Sequence, residues 1–172
     1  MREVFGTDHV EMWRQAALGE MPDWTEVFTG YGAAVDWPVA LFWEEIRESF
    51  PDALVILSTR DPAEWWESAS KTIFAVHTPD PSFQEMVRAL EEKRFAGDPQ
   101  ERDSAIAAFK SHNQSVIDSV PDDQLLVWEA SEGWGPICEA LDLPVPLEDF
   151  PFTNTREEWG GLRGAEDTDS IL

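Results

Sequence analysis

One stretch restricts the fold more than any other: Leu54-Val55-Ile56-Leu57, then Ser58-Thr59, then Arg60-Asp61-Pro62-Ala63-Glu64-Trp65-Trp66-Glu67-Ser68. Apolar residues in a row, without polar alternation, predict a strand from Ala53 to Ser58 covered on both faces, as in a parallel sheet. Asp61 at an N-cap and Pro62 at the first helical position then start a helix, which the pattern carries to about Val76. Strand, tight turn and helix in that order mark the carboxyl end of a parallel strand, where open α/β sheets place their ligands.

The rest of the chain alternates in the same manner. Asp8 is placed to cap a helix whose Val10, Trp13 and Ala17 share a face and which ends at Gly19. Asp23 with Glu26 starts a short second helix, closed by Gly30 and Gly32. Ala33 to Asp36 is a short strand candidate, and Pro38 opens a helix carrying Val39, Phe42, Trp43, Ile46 and Phe50. After the loop His77-Thr78-Pro79-Asp80-Pro81, Ser82 begins a helix with Phe83, Met86, Val87 and Leu90 on one stripe. Asp98-Pro99 begins a longer helix with Ile106, Phe109, Asn113, Val116, Ile117 and Val120 facing inward. Gln124 to Glu129 is a second buried strand, and a last helix presents Trp134, Ile137, Cys138 and Leu141. The sum is a helix-rich α/β domain over residues 1–163 with a mainly parallel sheet, followed by an acidic mobile tail over 164–172. Three strands against six or seven helices leave the sheet short of members.

Charge and composition narrow the partners. A formal net charge of −23 repels nucleic acid and anionic membrane surfaces. Nine tryptophans and ten phenylalanines exclude a disordered chain. No apolar run is long enough to span a bilayer, and the start is not a signal peptide. One cysteine and three scattered histidines offer neither an internal disulfide nor a metal cluster, which fits a reducing, cytoplasmic setting. The lysine-poor acidity suits either a high-salt host or an ordinary acidic cytosolic protein.

Several residues are candidates for chemistry. Arg60 can clamp a phosphate through paired, charge-assisted hydrogen bonds, helped by free N–H groups at the start of the following helix. Ser68, about two turns further, can reach a ligand lying alongside. Also open is a pairing of Arg60 with Asp61 or Glu64, with Ser68 an ordinary surface hydroxyl. Asp36 is either a general base or orienting group for an acceptor hydroxyl, or part of the next helix's N-cap. His112 lies at the edge of an apolar stripe, where a structural role competes with a catalytic one. Trp65, Trp66, Trp37 and Trp43 are core by spacing, or flank an apolar acceptor pocket. Glu132-Gly133-Trp134 opens a helix after a strand and can turn its backbone toward the same cleft. Cys138 sits in an apolar stripe with no basic neighbour, which argues against a nucleophile.

Val35-Asp36-Trp37-Pro38, Phe50-Pro51-Asp52-Ala53 and Arg60 to Ser68 together resemble a bacterial and fungal sulfotransferase-family group of P-loop proteins. Ser111-His112-Asn113, Leu125-Leu126-Val127-Trp128, Glu132 to Cys138 and Phe150-Pro151-Phe152-Thr153-Asn154 follow in the same order. The resemblance covers Met1 to about Trp159. It implies a three-layer P-loop-type fold and transfer of a sulfuryl group from 3′-phosphoadenylyl sulfate to a hydroxyl or amine of a small-molecule acceptor, without a metal. It also assigns Arg60 and Ser68 to the 3′-phosphate of that co-substrate.

The group's first strand, glycine-rich phosphate loop and helix have no counterpart here; Gly6-Thr7-Asp8 and Gly30-Tyr31-Gly32 lack both a basic residue and a preceding apolar strand. A truncated chain is therefore expected, impaired in transfer, with sheet edges open to self-association. Two other functions stay open: a catalytically dead binding or regulatory protein of the same fold, or another P-loop nucleotide-handling protein such as a kinase.

Overall fold

A computed structural model describes residues 7–75, 80–94, 98 and 100–151. In chain order its elements are α1 (Thr7–Ala17), α2 (Trp24–Val27), α3 (Trp43–Ser49), β1 (Val55–Thr59), α4 (Pro62–Ala69), α5 (Pro81–Arg94), α6 (Arg102–Ser119), β2 (Leu125–Glu129) and α7 (Trp134–Ala140). Single 3₁₀ turns lie at Val39–Phe42, Ile73–Ala75, Asp122–Gln124 and Ala130–Glu132. The chain divides into two compact units, residues 1–53 with 77–104, and residues 54–76 with 105–172.

The first unit is helical. Val10, Trp13, Ala16 and Ala17 of α1 recur at helical spacing and are buried with Trp24, Phe42, Met86, Ala89 and Leu90. Trp13, Trp24 and Phe42 form its centre, with ring centroids 5.3 to 5.7 Å apart. Asp23 caps α2 as its sequence requires, accepting from the Thr25 and Glu26 amides. A bond from the Thr25 hydroxyl, and after it those amide bonds, hold its carboxyl below the usual range. α1 is already under way at Thr7, so the backbone of Asp8 lies inside the helix and not at its start.

The second unit contains the sheet. β1 and β2 pair in parallel, Val55 opposite Leu125 through Thr59 opposite Glu129. The Thr59 hydroxyl reinforces the pair by donating to the Trp128 carbonyl at 3.4 Å. Among the described residues neither outer edge has a partner strand. α7 packs against β2. Leu57 is buried, but Ile56 and Val127 are 39% and 46% exposed. Coverage on both faces, expected from the apolar runs, is therefore absent among the described residues: a two-stranded ribbon offers too narrow a face for helices to cover each side.

Other expectations also give way. Ala33 to Asp36 is not a strand but exposed, irregular chain, ended by Asp36 at φ 70°. An extended run cannot continue through that left-handed conformation. α4 stops at Ala69 instead of near Val76, where the Lys71 and Thr72 amides turn to the carbonyls three residues back. The Thr72 hydroxyl also takes the Ser68 carbonyl, competing with the helical ladder. α6 begins at Arg102 and not at Asp98, because the Glu101 carboxylate accepts from the Asp103 and Ser104 amides. Ile117, expected inward, is 41% exposed, and Leu141, expected on the last helix, lies one residue past α7 and is 45% exposed. The acidic tail, His77 and the end of the Phe150 to Asn154 motif lie outside the described residues. No described helix is long and apolar enough to cross a membrane.

Candidate functional site

The junction of β1 and α4 is built by its own sequence. β1 ends at Thr59, and Arg60 is the first residue beyond the ladder. Asp61 follows at φ −54°, ψ 127°, and its Oδ1 accepts from the Ala63 and Glu64 amides at 2.9 and 3.0 Å. Pro62 has no N–H to offer, and the Trp65 amide bonds the Asp61 carbonyl at 2.8 Å. Every amide of the first turn is thus used within the chain. The free N–H groups expected at this helix start do not exist, because the residue that starts the helix also consumes them.

An anion at this junction must therefore be held by side chains. Arg60 and Glu64 face each other, Nη2 to Oε2 at 3.6 Å, with side chains 47% and 71% exposed. That separation is longer than a charge-assisted hydrogen bond, so most of the guanidinium's five N–H donors remain available. Ser68 is half-buried, and its hydroxyl has no hydrogen-bond partner among the described residues. Glu64 and Ser68 are one helical turn apart and lie on one side of α4. An arginine fork with spare donors and an unpartnered hydroxyl match the donor needs of a phosphate's oxygens.

The aromatic residues of α4 are held by protein. Trp65 stacks on Phe109 of α6 at 4.5 Å and meets Phe74 edge-on, while Trp66 packs against Phe74 at 6.1 Å. These rings anchor the helix that carries Glu64 and Ser68. His112 is half-buried in α6, and its carbonyl accepts from the Ser115 hydroxyl at 2.8 Å. Cys138 is buried in α7.

After β2, Glu129 and Glu132 form a reciprocal capping box, with the Glu129 amide donating to Glu132 Oε2 at 2.7 Å. Gly133 follows at φ 67°, a conformation L side chains rarely adopt, and its carbonyl accepts from Trp128 Nε1 at 3.1 Å. The sequence signal for this box was Glu129-x-x-Glu132, which the strand-then-helix pattern had obscured. The turn is thereby closed by its own side chains, and no arginine or lysine stands in it.

Asp36 belongs to the helical unit. Its Oδ1 accepts from the Trp37 amide at 2.7 Å, and its carbonyl accepts from the Ala40 amide at 3.0 Å. Its carboxylate is exposed and is not an N-cap: the 3₁₀ turn Val39–Phe42 that leads into α3 follows Pro38 without a side-chain cap. Tyr31, Val35 and Trp37 are exposed in the same segment. No group of His, Cys, Asp or Glu among the described residues is arranged to hold a metal ion.

The parallel pair in its helix-rich surround agrees with the comparison to known proteins. The chain matches the sulfotransferase domain family over residues 1–159, and it belongs to that family. It is also similar to "Ava biosynthesis cluster protein M" of Aspergillus versicolor, 29% identical over 180 residues that take in 90% of this chain and 69% of that protein.

Proposed function

We propose that this chain binds 3′-phosphoadenylyl sulfate at the β1–α4 junction, with Arg60 and Ser68 on the 3′-phosphate, and serves sulfuryl transfer to a hydroxyl or amine of a small-molecule acceptor. The observation that carries this reading is the pair of side-chain donors, Arg60 with spare N–H groups and Ser68 with an unpartnered hydroxyl, at the ligand-bearing end of a strand in a sulfotransferase-family chain. When bound, the co-substrate supplies the sulfuryl group. What the protein contributes is position and charge stabilisation, as in phosphoryl transfer. Asp36, in the helical unit, is the candidate to take a proton from an acceptor hydroxyl or to orient it: one carboxylate oxygen holds the Trp37 amide, and the group is exposed.

Among the described residues, no glycine-bearing turn between a strand and a helix carries an arginine or lysine for the 5′-phosphosulfate end. Binding of the 3′-phosphate end is accordingly the part to test first. Titration calorimetry of the full chain with adenosine 3′,5′-bisphosphate should show binding that weakens about 10- to 100-fold in Arg60→Ala, the range for losing charge-assisted hydrogen bonds. Ser68→Ala should weaken it by roughly 2- to 10-fold. Equal affinity in the Arg60→Ala variant would overturn the assignment.

A further inference from the structure

We propose, on the reading of Arg60 and Ser68 given above, that Glu64 is an internal competitor for Arg60 and tunes how strongly this chain prefers a 3′-phosphorylated nucleotide. Three observations converge on it. Glu64 is the charged partner that Arg60 has in the structure, at 3.6 Å. It stands one turn from Ser68 on the same side of α4, and in sequence midway between the two residues assigned to the phosphate. Its backbone amide is fixed by the Asp61 cap, which keeps the side chain rooted there whatever Arg60 does.

The pair is easily parted. Both side chains are well exposed, and such pairs contribute little in water. The neighbouring pair differs: Lys71, just past the end of α4, donates to Glu67 Oε2 at 2.6 Å, a directed and shorter contact. A ligand reaching Arg60 must displace a carboxylate of charge −1. A monoanionic group replaces like with like, whereas a phosphate ester near pH 7 brings close to two charges and three acceptor oxygens. Glu64 thereby lowers affinity for a nucleotide whose 3′-phosphate engages Arg60 and leaves one without that group little affected. It is a positioning residue, acting through Arg60.

The test compares Glu64→Gln with Glu67→Gln in the full chain. Both changes remove one negative charge from α4, but only the first frees Arg60. Calorimetry with adenosine 3′,5′-bisphosphate should show Glu64→Gln binding about 2- to 5-fold tighter than wild type, the fold-change expected from removing one exposed competing charge. Adenosine 5′-phosphate, which lacks the 3′ group, should change by less than about 2-fold, and Glu67→Gln should leave both nucleotides near wild type. The Glu64→Gln gain should shrink as salt is raised from 50 to 500 mM, since screening weakens the competing pair. Equal tightening in the two variants marks a general charge effect and overturns the role of Glu64. So does unchanged or weaker binding in Glu64→Gln while wild type binds. If neither wild type nor Glu64→Gln binds the bisphosphate, the assignment of Arg60 and Ser68 falls, and the role of Glu64 with it.

Discussion

Around Trp13 the helical unit closes three large ring systems on one another, with Met86 and Leu90 fully buried beside them. The sheet unit is built otherwise. Its buried apolar side chains are mostly small, Ala69, Ala105, Val116, Val120 and Cys138 with Leu57, and its strands leave Ile56 and Val127 open. Its large rings, Trp65, Trp66, Trp128 and Trp134, are only half-buried and pack in pairs with Phe109, Phe74 and Phe150. The difference teaches where each unit can tolerate change. A donor such as Arg60 must stay in contact with water to meet a ligand, so the unit that carries it cannot bury its surroundings as deeply.

The largest effect expected from this contrast is at Phe42. Its ring is fully buried between Trp13 and Trp24, and truncation to alanine should cost about 3–5 kcal/mol. The exposed Val127→Ala change should cost less than about 1 kcal/mol. Urea denaturation followed by tryptophan fluorescence and far-ultraviolet circular dichroism measures both. If Val127→Ala proves as damaging as Phe42→Ala, the sheet unit is packed more tightly than its strands show, and the contrast breaks.

A smaller effect, about 1 kcal/mol, is expected at Asp61. Asp61→Ala removes the acceptor for two amides of α4, while Asp61→Asn keeps an oxygen in the same place. Thermal denaturation should show Asp61→Ala melting several degrees below wild type and Asp61→Asn close to it. Equal losses in both variants would mean that the carboxylate's charge, and not its capping bonds, holds this turn.

The same residue shows how far the sequence could be read. Asp61-Pro62 located the start of α4, and the apolar run before it located β1 to within two residues. Gln124 to Glu129 located β2 equally well. Local chemistry sufficed there, since a cap, a proline and a run of branched side chains each restrict the backbone directly. What those signals could not convey was competition for the same groups. Asp61 marks an anion-friendly helix start and in the same act fills its amides. Arg60 reads as a phosphate clamp and in the structure faces Glu64. Ala33 to Asp36 fails as a strand because Asp36 adopts φ 70°, which nothing in Ala-Ala-Val-Asp announces. Ile117 keeps its place in α6 yet is 41% exposed, and Leu141 stands one residue past the end of α7, neither of which helical spacing conveys.

The finest test of the contrast concerns charge inside the helical unit. Glu91 on α5 is half-buried, and burial, with the Asp98 charge as a lesser cause, pushes its carboxyl above the ordinary value of 4.5. A raised carboxyl binds protons more readily in the folded chain. Its charged form therefore opposes folding above the folded pKa, and that opposition disappears as pH falls below 4.5. Glu11 on α1 works in the other sense: hydrogen bonds from Arg14 and Gln15 lower it to about 2, so its contribution is present above 4.5 and lost as pH falls through about 2. Glu91→Gln should accordingly raise the urea midpoint at pH 7 by on the order of 0.2 M, and the gain should vanish near pH 4. Loss of stability at pH 7 would show that Glu91 is held by partners that outweigh its burial. The helical unit would then tolerate a charge in its flank as readily as the sheet unit tolerates Arg60.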